Sequence, residues 1–162
     1  MLKYLNCQVT FAEVPDEISL CINISNCPMH CPGCHSPELW GDVGEPLTES
    51  VIEDLIVSNR GITCVCFMGG DAEPIEVNKL SKWVHEHYNN SIKTAWYSGM
   101  DSYPTFTPDF DYVKIGSYRE NDGPLNCKTT NQRMVRINHP KVGDLQLDCS
   151  WYMEDITYKF WK

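Results

Sequence analysis

A chain of 162 residues with 42% apolar residues, five Trp and eight Tyr has the length of one domain and material for one hydrophobic core. Its formal net charge of −9 repels anionic surfaces, so neither nucleic acid nor an anionic membrane is an expected partner. No apolar run approaches the roughly 18 residues of a membrane span, and residues 1–6 lack the apolar stretch of a secretory leader; a cytoplasmic location is expected. In a reducing compartment the nine cysteines, an odd number, read as metal ligands or core thiols rather than as a disulfide framework.

Taken in chain order, residues 18–24 alternate apolar with small or polar side chains, the pattern of a half-buried strand. Residues 47–60 place Val51, Ile52, Leu55 and Ile56 on one helical face, with Thr48 as N-cap and Gly61 as the stop. Residues 62–68 form a short continuous apolar run that suits a buried parallel strand. A second helix is expected over residues 76–88, through Val77, Leu80, Trp83, Val84 and His87. Residues 91–97 and 112–115 read as two more strands. Between them, Pro104, Pro108 and several Asp and Ser residues read as irregular chain over 99–111. Residues 133–137 predict a last inner strand, whereas 156–160 are ambiguous. The order β-α-β-α-β predicts a single α/β domain over residues 1–162, a parallel sheet covered by helices. Too few units exist to close an eightfold barrel of ~250 residues, so an open, partial TIM-like βα barrel is expected.

Most of the chemical content lies in one loop, Asn26-Cys27-Pro28-Met29-His30-Cys31-Pro32-Gly33-Cys34-His35, directly after the first of these strands. Pro28, Pro32 and Gly33 keep it out of regular structure, so it can wrap around a guest. Iron–sulfur clusters are usually held by four thiolates. Three thiolates at C-x3-C-x2-C therefore predict a cluster with one iron left open for a substrate, as in catalytic metal sites. Zinc remains an alternative, with His30 or His35 completing a Cys3His site; yet no second C-x2-C or H-x3-H pair supplies the usual half of a closed zinc site.

C-x3-C-x2-C after the first strand resembles the signature of radical S-adenosylmethionine (SAM) enzymes. The longer string from Glu13-Val14-Pro15 to Ser36-Pro37-Glu38-Leu39-Trp40 resembles the activating proteins of anaerobic (class III) ribonucleoside-triphosphate reductase. So does the stretch Tyr112-Val113-Lys114-Ile115-Gly116-Ser117-Tyr118, followed by Gly123-Pro124-Leu125 and Thr130-Asn131-Gln132-Arg133. The resemblance implies a partial barrel of the radical SAM type and one [4Fe–4S] cluster on Cys27, Cys31 and Cys34. It implies reductive cleavage of SAM to a 5′-deoxyadenosyl radical, which takes a hydrogen atom from one glycine of the large reductase subunit. A one-electron donor such as a flavodoxin or ferredoxin is implied as a second partner.

The same resemblance implies the SAM contacts. Gly69, Gly70 and Asp71 match the motif that receives the methionine ammonium; glycines permit close backbone approach and a carboxylate accepts from an ammonium. Taken alone, Gly-Gly-Asp is also a plain turn sequence. Ser98, within Tyr97-Ser98-Gly99, is expected to face the ribose. Ile115 and Gly116, like the backbone at Gly33, Cys34 and His35, are expected against the adenine. His35 stands where some relatives have Tyr, and Gly33 where many radical SAM enzymes have an aromatic residue. Two other readings stand beside this one: an activase of another glycyl-radical enzyme of the pyruvate formate-lyase type, and a zinc-binding adaptor using Cys27, Cys31, Cys34 and His35.

Other residues read as structural. Cys64 and Cys66 share one face of a strand as small core residues, and Cys7, Cys21, Cys127 and Cys149 are isolated. His85 and His87 read as surface or helix-packing residues, Trp83 and Trp96 as core. The Trp151–Trp161 tail reads as a partner-docking segment or a cover for the open barrel edge. Asn131-Gln132-Arg133 carries no chemical role that the sequence assigns.

Overall fold

A computed structural model describes residues 1–140 and 150–162. Its eight strands are β1 (Lys3–Thr10), β2 (Ser19–Ile24), β3 (Glu45–Pro46), β4 (Cys64–Met68), β5 (Lys93–Tyr97), β6 (Tyr112–Ile115), β7 (Arg133–Asn138) and β8 (Tyr152–Asp155). The helices are α1 (Glu49–Ser58) and α2 (Pro74–His87). One open sheet runs in the order β3-β1-β2-β4-β5-β6-β7-β8. Its centre, β2-β4-β5-β6, is parallel, while β1, β3, β7 and β8 are antiparallel to their neighbours.

Both expected helices form, α1 on its expected N-cap. Thr48 Oγ1 accepts from the Val51 amide at 3.3 Å and caps α1, which buries Ile52 and Ile56 one turn apart. Pro74 occupies the first turn of α2, where its missing N–H is harmless, and Val77, Leu80, Ser81 and Val84 turn inward. Helix α1 ends at Ser58, three residues before Gly61, with Asn59 Nδ2 donating back to the Leu55 carbonyl at 2.8 Å.

Two expectations need correction. The sheet is mixed, because β7 runs antiparallel to β6; strand direction depends on the returning chain and leaves no mark in the strand's own residues. The connection from β5 to β6 is irregular chain, as expected. Pro104 and Pro108 interrupt that connection, and only a 3₁₀ turn at Thr107–Asp109 forms. Strand β1 was not anticipated, and it pairs along most of its length with β2. The ambiguous segment 156–160 is a 3₁₀ turn, Thr157–Phe160. The tail's β8 pairs with β7 at the sheet edge.

Period-two alternation divides the sheet between two cores. On one side Leu20, Ile22, Val65, Phe67, Trp96, Val113 and Ile115 pack against α1 and α2 residues. On the other lie Cys21, Cys64, Cys66, Ala95, Tyr112 and Met134, covered by Val14, Ile156, Leu125 and Phe160 from loops and the tail. Fully burying one large apolar side chain contributes about 1.5–3 kcal/mol, so the helix-side layer is the main stabilising layer. The loop-side face is left free to open, at the carboxyl ends of the parallel strands, into a cleft.

Candidate metal centre

The cysteine loop leaves β2 through left-handed turns: Asn26, His30 and Gly33 have φ of 60°, 44° and 73°. It is fastened to the following 3₁₀ turn, Pro37–Trp40, by the Cys27 amide on the Leu39 carbonyl (2.9 Å) and the Asn26 amide on the Gly41 carbonyl (2.8 Å). His30 stacks on Trp40 at 5.0 Å between ring centroids, and His35 lies against Tyr118 at 5.1 Å. Both imidazoles are thus used in packing the loop.

Cys27, Cys31 and Cys34 line one cleft of about 200 Å³ together with Gly69, Asp71, Ser98, Gly99, Lys114, Gly116 and Gln132. Main-chain amides already point at sulfur. The Ser36 amide donates to Cys34 Sγ at 3.4 Å. Burial pushes the Cys27 thiol up, and the Met29 and His30 amides act in the opposite direction. Amide-to-sulfur hydrogen bonds of this kind stabilise thiolates and tune cluster potentials.

The opposite wall is built on Asp71. Its carboxylate accepts from Ser98 Oγ at 2.6 Å and from the Gly99 amide at 2.9 Å, which fixes the end of β4 to the end of β5. Trp96 Nε1 donates to the Gly69 carbonyl at 2.8 Å from the helix side. A Cβ on Gly99 would stand 2.6 Å from Met29 Cγ, so the Met29 side chain packs where a larger residue's Cβ would lie. Gly70 has another reason. With φ of +88°, a Cβ there would lie 2.5 Å from Val77 Cγ2, and Gly70 is needed to bring α2 onto the sheet.

The expected site residues are thus divided. Gly69, Asp71, Ser98 and Gly116 meet the three cysteines in the cleft. Ser98 faces it with its hydroxyl engaged inside the chain, donating to Asp71 and accepting from the Met100 amide at 3.0 Å. Gly33 and Gly70 do not line it, and His35 borders an adjoining groove. The expectation for Ile115 is corrected: its side chain lies in the helix-side core, and alternation gives the cleft position to Lys114. That lysine was missed. A charge inside the otherwise apolar or aromatic strand Tyr112–Ile115 was the available signal.

The larger groove, about 580 Å³, shares Cys34, Ser36, Tyr97, Tyr118 and Gln132 with the cleft, and Lys159 and Lys162 close its far side. Gln132 is buried between the two spaces; Asn131 Nδ2 donates to the Ser117 carbonyl at 2.9 Å, and Arg133 to the Thr130 and Gln132 carbonyls. The Asn131-Gln132-Arg133 stretch therefore shapes the wall. Cys64 and Cys66 are fully buried in the loop-side core, and burial pushes both thiols well above their ordinary range. His85 Nε2 meets Asp111 at 2.8 Å, and His87 stacks on Trp83 at 4.6 Å. Cys149 lies outside the described residues.

A family model described as a 4Fe-4S single cluster domain matches residues 18–109, from β2 through both helices and β5. The chain belongs to the 4Fe-4S single cluster domain family. It is therefore an iron–sulfur protein. Searches of the curated proteins and of the solved structures find no match.

The residues present fit such a cluster. Three thiols share one mouth, amides converge on two of them, and Trp40, which lines the same cleft, has a buried Nε1 with no acceptor. Among the described residues no three His, Cys, Asp or Glu side chains gather around a single-ion position. No helix among the described residues is long and apolar enough to cross a membrane.

Proposed function

We propose that this iron–sulfur protein is a radical SAM activase that installs a glycyl radical on anaerobic ribonucleoside-triphosphate reductase. In this reading the parallel strands β2-β4-β5-β6 are the partial barrel, and their carboxyl ends present the cluster and SAM side by side. The observation that carries the reading is the shared cleft: Cys27, Cys31 and Cys34 on one wall, Gly69 and Asp71 on the other. When bound, the cluster supplies the electron that cleaves SAM to a 5′-deoxyadenosyl radical.

The chain's own contribution is placement and shielding. Asp71 is held by Ser98 and the Gly99 amide, which use part of its accepting capacity and leave lone pairs for an ammonium. Gly69 and Gly99 keep side chains out of the space between the walls. Met68, Tyr97 and Trp40 line the cleft with apolar surface that limits water, which a reactive carbon radical requires. The adjoining groove of about 580 Å³ includes Cys34 in its lining, and in this reading it receives the protein loop that carries the glycine. A flavodoxin or ferredoxin is the proposed reductant.

The test is anaerobic reconstitution with iron and sulfide, reduction, and addition of SAM with the reductase subunit. The reading predicts 5′-deoxyadenosine and an electron paramagnetic resonance doublet from a glycyl radical on that subunit. A radical formed only on a pyruvate formate-lyase-type protein would move the assignment to the other activase. A cluster-loaded protein that yields no 5′-deoxyadenosine would refute the radical chemistry.

A further inference from the structure

The stretch Asn131-Gln132-Arg133 holds the buried polar side chain that lies where the cysteine cleft meets the larger groove. Gln132 precedes Met134 by two residues, so alternation turns both to the loop-side face, Met134 into the core and Gln132 to the cleft. Its main chain is pinned on both sides. The Gln132 amide donates to Thr130 Oγ1 at 3.1 Å, and Arg133 Nη1 donates to the Gln132 carbonyl at 2.8 Å. Gly116 lets this strand end come close, since a Cβ there would lie 2.9 Å from Gln132 Cα. The side chain is left over. Gln132 is only 6% exposed, yet among the described residues neither its Nε2 nor its Oε1 has a hydrogen-bond partner. A buried carboxamide without partners is unfavourable, and a guest that pairs with it removes the cost.

Position identifies that guest. Cys34, Ser36, Tyr97, Tyr118 and Gln132 line both the cleft and the groove, and of these five only Gln132 is buried. Tyr97 already donates its hydroxyl to the Glu13 carbonyl. A glycine presented by a protein loop in the groove reaches the cleft across these residues. It has no side chain to be recognised, so the backbone around it is the only handle it offers. A carboxamide presents one donor and one acceptor side by side, the counterpart of the N–H and C=O that an extended residue turns to one side. We propose that Gln132 binds the backbone of the glycine-bearing loop, Nε2 donating to a carbonyl and Oε1 accepting from an amide, and so fixes which Cα–H faces the cleft. The proposal rests on the reading of the chain as a glycyl-radical activase.

The test compares wild type with Gln132→Met, which keeps the length of the side chain and removes both polar groups. Three quantities are read on the cluster-loaded protein. They are SAM affinity by calorimetry before reduction, 5′-deoxyadenosine formed on reduction without a protein substrate, and glycyl radical formed against rising concentrations of the subunit that the wild type activates. The proposal predicts that the first two are unchanged in Gln132→Met and that the half-saturating subunit concentration rises about tenfold, as loss of a pair of neutral hydrogen bonds implies. It also predicts that ligand-free Gln132→Met is no less stable than wild type, since an unpaired buried amide has been removed. Weaker SAM binding would give the carboxamide to the cofactor, whose adenine also pairs with such a group, and would overturn the proposal. An unchanged dependence on the subunit, or a marked loss of stability, would overturn it too. Each of these leaves the activase reading standing, whereas a wild type that forms no glycyl radical on either candidate subunit removes both. Should Gln132→Met fail to fold, Gln132→Leu is read in its place; if neither folds, Gln132 is structural and the proposal is wrong.

Discussion

Replacing Gly70 by alanine separates the two meanings of its motif. Its φ of +88° places any other residue in a strained backbone region, which costs about 1–3 kcal/mol. The new Cβ would also meet Val77 Cγ2 at 2.5 Å, and Val77 is fully buried where α2 packs on the sheet, so it cannot move aside freely. Overpacking of this kind adds about 1–3 kcal/mol. Gly61 is the internal control: its φ is +94°, yet nothing lies within 4 Å of its added Cβ. Gly61→Ala therefore carries the strain alone. In a chain of this size 1 kcal/mol moves the melting temperature by about 2–4 °C, so at the middle of these ranges Gly70→Ala is expected about 12 °C below wild type and Gly61→Ala about 6 °C below. Anaerobic thermal unfolding followed by circular dichroism measures both. Equal losses in the two variants would show that Gly70 is not fixed by packing against α2 and would return it to the ligand.

Cys31→Ala is expected to lose bound iron and sulfide after reconstitution, whereas Cys64→Ala keeps its full complement; iron loss in Cys64→Ala would overturn its place in the core. Cys64→Ala should nevertheless lower stability by about 1 kcal/mol, as a small buried side chain implies, read by denaturant unfolding. The phenols of Tyr103 and Tyr112 are both pushed up to about 12, chiefly by burial. The folded chain thus holds protons that the unfolded chain releases near pH 10. Their stabilising effect is complete below about pH 10 and is lost as pH rises toward 12. Tyr103→Phe, which breaks no side-chain hydrogen bond among the described residues, should flatten part of that alkaline fall; an unchanged pH profile would contradict the burial assigned to Tyr103.

What the sequence makes legible here is local. The cysteine loop could be read because Pro, Gly and Cys at fixed spacing state their purpose within ten residues. Helix α1 could be read because Thr48 and the Val51–Ile56 face are adjacent in the chain. Strand β1 escaped notice because several of its side chains, Leu5 and Val9 among them, are exposed, so its alternation carries little apolar contrast. The Ile115 and Lys114 assignments depended on which sheet face carries helices. Tyr112 and Lys114 share one face of β6 and Val113 and Ile115 the other, and only the packing of the helices on the second leaves the first to the cleft. Ser98 was legible as a cleft residue but not as a partner of Asp71, since the two are 27 positions apart and meet only through parallel pairing of β4 with β5.

The central claim is that three cysteines hold a cluster whose open iron faces the Asp71 wall. The most direct measurement is the low-temperature electron paramagnetic resonance spectrum of the reduced, reconstituted protein before and after SAM is added. The account predicts a [4Fe–4S]⁺ signal whose g-values shift on addition of SAM and which is absent from Cys31→Ala. A signal indifferent to SAM, or one that persists in Cys31→Ala, would contradict it.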